Sequence, residues 1–191
     1  MYDRLRDLVA MASHNDGKRT LKQSIMLPEL LAAIEDWMSA TASDGVLIGG
    51  LAYSFYGKPR YTQDADILIL NESSLPAYVP GFKRARPHAF RHDKTHVEIE
   101  IVEPATINMS IGLAQWIIRT SVLDVSLGVM VRIASPSGVV AAKLGRWELQ
   151  DQADADKLLD NFDIDVSEAP LSAPERNRLI VLIAERNGRG K

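Results

Sequence analysis

The chain contains no cysteine, which removes disulfides, thiol nucleophiles and cysteine-ligated zinc from consideration. It also lacks any apolar run of about 18 residues, so no transmembrane helix is expected. The opening residues, Met1 to Asp7, are too charged for a signal peptide, and a cytoplasmic location is expected. A Gly-x-Ser-x-Gly motif is missing as well, so a hydrolase of that type has no support.

The overall charge also narrows the classes of partner. Among 191 residues the hydrophobic content is 46% and the charged content 25%, as in an ordinary soluble globular protein. The net charge of −3 argues mildly against a long nucleic-acid duplex as partner, although a short RNA end stays compatible. The main basic cluster predicts a solvated loop or hairpin, and it consists of Lys83, Arg84, Arg86, Arg91 and Lys94.

Two aspartates, Asp64 and Asp66, begin an aliphatic run that extends to Leu70 and reads as a buried strand. Residues i and i+2 of a strand share a face and lie about 7 Å apart. Two carboxylates placed in this way repel each other, and a divalent cation such as Mg²⁺ would remove the repulsion. The alternative interpretation is a pair of turn or capping aspartates at the entrance of a strand.

The residues upstream favour a phosphate site. Residues 46–48 read as a short strand, which Gly49 and Gly50 end, and residues 51–56 read as a short helix. A glycine turn at a helix start presents unpaired backbone N–H groups to a phosphate. Arg60 and Thr62 then precede the aspartates, and a cation beside a carboxylate pair suits a metal-bound triphosphate.

These residues resemble a known family. Gly49-Gly50-Leu51-Ala52, Gly57, Arg60-Tyr61-Thr62 and Asp64-Ala65-Asp66 look like the first catalytic block of the DNA polymerase β-type nucleotidyltransferase superfamily. The resemblance is greatest to small bacterial members with a Gly-Gly-x-Ala start. These include the toxin-type nucleotidyltransferases of type IV toxin–antitoxin systems and related uncharacterised proteins. The specific motif covers residues 46–70, and a looser resemblance extends to about residue 160.

The resemblance implies a third carboxylate on a neighbouring strand. Glu98 and Glu100 share one face of a strand predicted over 95–102, and the spacing from Glu100 to Pro104 favours Glu100. The family usually has aspartate at this position, so the longer glutamate departs from its pattern. The resemblance also implies that Lys143 approaches the nucleotide phosphates. For Asp151 and Asp154 a helix-start role is at least as well supported as a chemical one.

The predicted fold is α/β (α+β), with a small mixed β-sheet nucleotidyltransferase core, flanking helices and a helical C-terminal part. We expect N-terminal helices over 1–43, the core over 44–134 and the C-terminal helical region over 135–191. Further predicted elements are helices at 2–13, 28–41, 113–119, 136–149, 151–161 and 174–187, and a strand at 129–133.

The resemblance implies a metal-dependent nucleotidyltransferase that moves an NMP from an NTP, with ATP the expected donor. Asp64, Asp66 and Glu100 would hold two Mg²⁺ ions, with Mn²⁺ as a substitute, and Gly49, Gly50, Arg60, Thr62 and Lys143 would bind the nucleotide. The acceptor is open among a tRNA end, a protein hydroxyl and a small molecule. A homodimer or an antitoxin partner is compatible with this role, and no membrane contact is expected. The alternative is a catalytically silent member of the fold that senses nucleotide or binds a partner.

Overall fold

The fold is built on a seven-stranded sheet. The computed structural model describes residues 20–41, 45–57, 64–71, 75–124 and 131–189, so the helix predicted at 2–13 lies outside the described residues. The strands are β1 (Val46–Leu47), β2 (Asp64–Leu68), β3 (Phe82–Arg86), β4 (Ala89–His92), β5 (Glu98–Val102), β6 (Val122–Asp124) and β7 (Val131–Ile133).

The sheet is mixed, and its spatial order is β3-β4-β5-β2-β1-β7-β6. The β2–β5 and β1–β7 pairs are parallel, and the other neighbouring pairs are antiparallel. In the central strands β2 and β5, buried aliphatic residues alternate with partly exposed acidic residues over the first half of each strand. The basic cluster forms the β3–β4 hairpin at one edge, where charged side chains discourage pairing with another chain.

Helices cover the sheet and make up the C-terminal part. They are α1 (Thr20–Thr41), α2 (Gly49–Tyr56), α3 (Ile111–Arg119), α4 (Pro136–Arg146), α5 (Leu149–Asn161) and α6 (Ala173–Arg189), with a 3₁₀ turn at Pro104–Ile107. Helix α4 packs against α2, α3, α5 and α6, and α1 lies on β2, β5 and β7. This arrangement confirms the predicted fold class. The predicted domain boundaries stay a prediction.

Helix α1 anchors the hairpin to the core. Trp37 is fully buried and meets Phe82 edge-on at 5.2 Å between ring centroids, with Phe90 at 4.8 Å. The predicted helix start at Pro28 is wrong, since α1 already begins at Thr20 and continues through the proline. A proline signals a possible first turn, but the backbone before it can still be helical in a kinked or irregular helix.

The predicted strands are slightly too long. The first ends at Leu47, β2 ends at Leu68 and β5 begins at Glu98. Gly49 and Gly50 form the first turn of α2 and not a separate turn. Strand β6 was not predicted.

The start of α4 follows the sequence signal closely. The Ser135 hydroxyl accepts a hydrogen bond from the Gly138 N–H at 3.1 Å, and Pro136 occupies the first turn. The helix ends at Arg146, three residues before its predicted end, because Trp147 takes a left-handed conformation with φ 59°. Helix α5 then begins at Leu149, two residues before its predicted start.

Helix α6 buries a narrower face than its apolar pattern predicts. Leu182 is 3% exposed and Leu179 is partly buried, but Ile180 is 62% exposed and Ile183 40%. Only the two leucines of this apolar stretch therefore pack against the core. In the part of the chain that the structure describes, no helix combines the length and apolar character needed to cross a bilayer.

Candidate functional site at the junction of β2, β5 and α2

Asp64 and Asp66 lie on the same face of β2, as predicted. Their neighbours Ala65 and Ile67 are fully buried on the opposite face, whereas both aspartates are partly exposed. The strand alternation therefore holds two carboxylates side by side at a surface of the central sheet. Both aspartates belong to the paired strand, and Asp64 is its first residue.

Strand β5 adds two glutamates to this face. In the parallel β2–β5 pair, Asp64 is opposite Glu98 and Asp66 is opposite Glu100. Ile99 and Ile101 alternate with the glutamates and are buried. We call these four acidic residues the carboxylate face. Its existence was predictable from the alternation, and the register puts Glu100, the favoured third carboxylate, beside Asp66.

Helix α2 closes one side of the carboxylate face. Gly49 has φ +68°, and a β-carbon there would come within 1.8 Å of Asp66 Oδ2. The Ile48 N–H also donates to the backbone carbonyl of Asp66 at 2.9 Å. The first turn of α2 and the side chain of Asp66 are thus packed against each other, so glycine is required here on steric grounds.

The carboxylate face has an excess of negative charge at Asp66. Burial is the largest cause that raises the pKa of Asp66 from 3.8 to about 6, followed by the charge of Asp64 and then that of Glu100. The charges of Arg146 and Lys143 act in the opposite direction, in that order. Removal from water and mutual repulsion together favour the protonated acid. A bound cation would reverse this preference.

Two arginines of the hairpin neutralise the glutamates. Arg86 Nη2 lies 3.2 Å from Glu98 Oε2 and 3.2 Å from Glu100 Oε2, and Arg91 Nη2 contacts Glu98 Oε1 at 2.5 Å. The hydrogen bond from Arg91 is the largest cause that lowers the pKa of Glu98. Glu98 therefore has two arginine partners, while Glu100 shares Arg86 with it. The sequence marked these arginines as a basic cluster but did not reveal their partners.

Lys143 was expected to contact the nucleotide phosphates, but in the structure it is buried against two aspartates. Its side chain is 5% exposed, and Nζ lies 3.0 Å from Asp151 Oδ1 and 2.8 Å from Asp154 Oδ2. It also lies 5.9 Å from the ring centroid of Tyr53 in α2. Asp151 has the predicted helix-start role, because it forms a capping box with Glu148. The two aspartates are in addition the ion-pair partners of Lys143, which the sequence did not indicate.

Arg146 is a second cation of α4 near the carboxylate face, one turn beyond Lys143. Its Nε lies 3.2 Å from Asp151 Oδ2, and its Nη2 lies 3.1 Å from Glu148 Oε2. Its side chain is 58% exposed. No role was predicted for Arg146 from the sequence. It lies three residues after Lys143 on the same helix, however, and this spacing places the two side chains on one helix face. The predicted nucleotide ligands Arg60 and Thr62 lie outside the described residues.

The donor set of Asp64, Asp66 and Glu100 consists of carboxylate oxygens, which fits Mg²⁺ or Mn²⁺. The mutual repulsion registered at Asp66 is the electrostatic condition that a cation would relieve. Among the described residues, however, no three acidic or histidine side chains already converge as a metal cage. One carboxylate oxygen of Glu100 contacts Arg86 in this structure.

No protein-family model and no curated protein matches this sequence. Among solved structures, the fold is similar to that of an antigenic nucleotidyltransferase-like protein from Paracoccidioides brasiliensis, with a TM-score of 0.58. The two sequences are 16% identical, and the alignment covers 85% of this chain and 91% of that chain. At this identity the similarity concerns the fold, and the Gly-Gly-x-Ala subgroup stays a prediction. The chain thus has a nucleotidyltransferase-like fold.

Proposed function

We propose that the protein is a metal-dependent nucleotidyltransferase that moves an NMP from an NTP, with ATP the expected donor, to a hydroxyl of an acceptor. One observation carries the proposal: Asp64, Asp66 and Glu100 share a face across two parallel strands, directly beside the first turn of α2 at Gly49. This combination brings an acidic site and a group of helix N-terminal N–H donors together. A triphosphate with its metal needs both.

The reaction is an in-line displacement at phosphorus. The acceptor oxygen forms a bond to the α-phosphorus, the bond from that phosphorus to the bridging oxygen breaks, and pyrophosphate leaves. The acceptor hydroxyl loses its proton to solvent or to a nearby carboxylate. A divalent cation would neutralise the triphosphate and lower the pKa of the attacking hydroxyl.

The chain's own residues would then act mainly by positioning and charge. Asp64, Asp66 and Glu100 would hold Mg²⁺, two ions being expected from the resemblance. Gly49 and Gly50 would let the phosphates approach the α2 backbone, because neither carries a side chain. Arg60 and Thr62 are expected on the phosphate side. The charge of Lys143 reaches the carboxylate face, as its effect on the pKa of Asp66 indicates.

The second candidate is a catalytically silent member of the fold that senses nucleotide or binds a partner. Two observations favour it. First, position 100 is glutamate, whereas the family that the sequence resembles usually has aspartate there. Second, Arg86 bridges Glu98 and Glu100, as a bound cation would. A protein of this kind would bind NTP with little dependence on metal and would release no pyrophosphate.

The acceptor and the physiological setting follow from neither candidate alone. A tRNA end, a protein hydroxyl and a small molecule are the acceptor classes proposed from the resemblance, together with a toxin–antitoxin role. An antitoxin partner or a second copy of the chain, and a cytoplasmic setting, belong to the same proposal. A neighbouring antitoxin-like gene or resistance gene would discriminate among them.

The decisive experiment measures pyrophosphate release from each of the four NTPs, with Mg²⁺, Mn²⁺ or EDTA, in the presence of a total tRNA pool, a protein pool or water alone. Release that needs the metal and is lost in Asp66→Asn supports the enzyme. Binding of NTP without release in any mixture, and without metal dependence, supports the silent member. Absence of both binding and release for all four NTPs contradicts the enzyme and the nucleotide sensor, and leaves the partner-binding module.

A further inference from the structure

Helix α4 offers two cations near the carboxylate face, and they are not equivalent. We infer that Arg146, and not Lys143, is the α4 side chain that contacts the phosphates of the nucleotide. This inference rests on the proposed function, since it names a further ligand at the same site. It also departs from what the resemblance implies, which is a direct role for the lysine.

Lys143 is already committed to other groups. Its side chain is 5% exposed, and its ammonium contacts the carboxylates of Asp151 and Asp154, whose side chains are 8% and 1% exposed. Turning it toward a ligand would remove the ammonium from both buried carboxylates, although Asp151 would keep its contact with Arg146, and breaking a buried ion pair is strongly unfavourable. Both aspartates belong to α5, so the contact also joins that helix to α4. Its contacts are those of a structural ion pair.

Arg146 has the opposite properties. Its side chain is 58% exposed, and one of its two acidic partners, Glu148, is 62% exposed, so that pair is weak. The described contacts use Nε and Nη2, whereas a guanidinium carries five N–H donors, of which two are on Nη1. The contact with the buried Asp151 holds the base of the fork in place. An arginine held at one edge is suited to grip a phosphate with the other.

The position of Arg146 also fits this role. It is the last residue of α4, a helix that packs against α2, and the first turn of α2 lies against Asp66, the central acid of the carboxylate face. A nucleotide whose metal is held at Asp66 would therefore bring its phosphates toward the exposed guanidinium. The ammonium of Lys143 is buried against Asp151 and Asp154.

The test is calorimetric titration of the full chain with a non-hydrolysable ATP analogue and Mg²⁺, combined with melting curves without nucleotide. Arg146→Gln should raise the dissociation constant by about ten-fold or more, on the scale of a lost charge-assisted hydrogen bond, at an unchanged melting temperature. Arg146→Lys should recover part of the affinity. The matched control is Arg186→Gln, because Arg186 is also a half-exposed arginine paired to a helix aspartate, Asp160 at 3.0 Å.

The outcomes separate the inference from the proposed function. If the wild type binds the analogue and Arg146→Gln binds it equally well, the inference is wrong while the proposed function stands. The same holds if Lys143→Met keeps the wild-type melting temperature and loses binding while Arg146→Gln retains it. If the wild type binds none of the four NTP types, the proposed function fails and the inference fails with it.

Discussion

The side chain of Asp66 occupies the space that a β-carbon on Gly49 would need, with Oδ2 only 1.8 Å from that position. This relationship ties the backbone at the start of α2 to the central carboxylate of the sheet. It makes glycine at position 49 a requirement of the site and not merely of a turn. A substitution there should therefore affect Asp66 before it affects any ligand.

We expect Gly49→Ala to lower both stability and NTP binding. The left-handed φ of +68° costs a non-glycine residue about 1–2 kcal/mol, and the clash with Asp66 adds to that cost. Gly81→Ala is the matched control, because Gly81 has φ +80° but an open environment around its β-carbon position. Urea denaturation should show a clearly larger loss for Gly49→Ala. Equal losses of unfolding free energy in the two variants would mean that the Asp66 side chain moves aside at little cost.

The raised pKa of Asp66 predicts a pH-dependent contribution to stability. Because the pKa of Asp66 is about 6 in the folded state and its ordinary value is 3.8, the native state binds the proton more tightly than the unfolded chain. The contribution is fully present below about pH 4, is lost as pH rises through about 6, and amounts to at most about 3 kcal/mol. Asp66→Asn should therefore be more stable than the wild type at pH 7. Urea denaturation from pH 4 to 8 measures the difference, which should shrink toward pH 4, and a constant difference would contradict the burial argument.

The choice between the two glutamates of β5 can be tested directly. Glu100→Gln should abolish metal-dependent pyrophosphate release, because Glu100 is opposite Asp66 in the parallel register. Glu98→Gln should retain most of the activity, since Glu98 is opposite Asp64 and is engaged by both Arg86 and Arg91. Both substitutions preserve shape, so melting temperatures serve as the folding control. Loss of release in Glu98→Gln alone would reverse the assignment.

Arg86 should compete with the metal for Glu100. In Arg86→Gln the carboxylate loses its cation, so the Mg²⁺ concentration for half-maximal thermal stabilisation should fall several-fold. The effect on stability without metal should be small, because the Arg86 and Glu100 side chains are 51% and 36% exposed. Lys83→Gln is the control on the same strand, where Lys83 pairs with Asp93 at 3.2 Å. If both variants require the same Mg²⁺ concentration as the wild type, Arg86 does not compete.

The buried ion pair of Lys143 predicts a structural phenotype. Lys143→Met should destabilise the fold by about 3–5 kcal/mol, because it removes the lysine ammonium from the two buried carboxylates of Asp151 and Asp154, although Asp151 keeps its contact with Arg146. Arg186→Gln, which removes an exposed pair, should cost under about 1 kcal/mol. Urea denaturation measures both. A Lys143→Met variant as stable as the wild type would show that the lysine is available to a ligand.

The features predictable from the sequence are those that repeat along the chain. The alternation placed Asp64 and Asp66 on one face of β2, and Glu98 and Glu100 on one face of β5, because strand geometry has a period of two. The Ser135-Pro136 signal located the start of α4 because capping involves neighbouring residues. These inferences needed no knowledge of distant contacts.

The features that could not be predicted depend on residues far apart in the chain. The Gly49–Asp66 contact and the pairing of Arg86 with Glu100 arise from tertiary packing, which leaves no periodic signal. The exposure of Ile180 and Ile183 has the same origin. Their pattern is that of a buried helix face, but α6 presents only part of that face to the core.

The parallel β2–β5 ladder makes the spacing of the acidic groups independent of the length of chain between them. The chain forms the β3–β4 hairpin between β2 and β5. The backbone hydrogen bonds between β2 and β5 nevertheless set the distance from Asp66 to Glu100. Insertions or deletions in the segment before the hairpin should therefore leave the spacing of the acidic groups unchanged. Variation in this region could alter what the protein recognises while its chemistry is inherited unchanged.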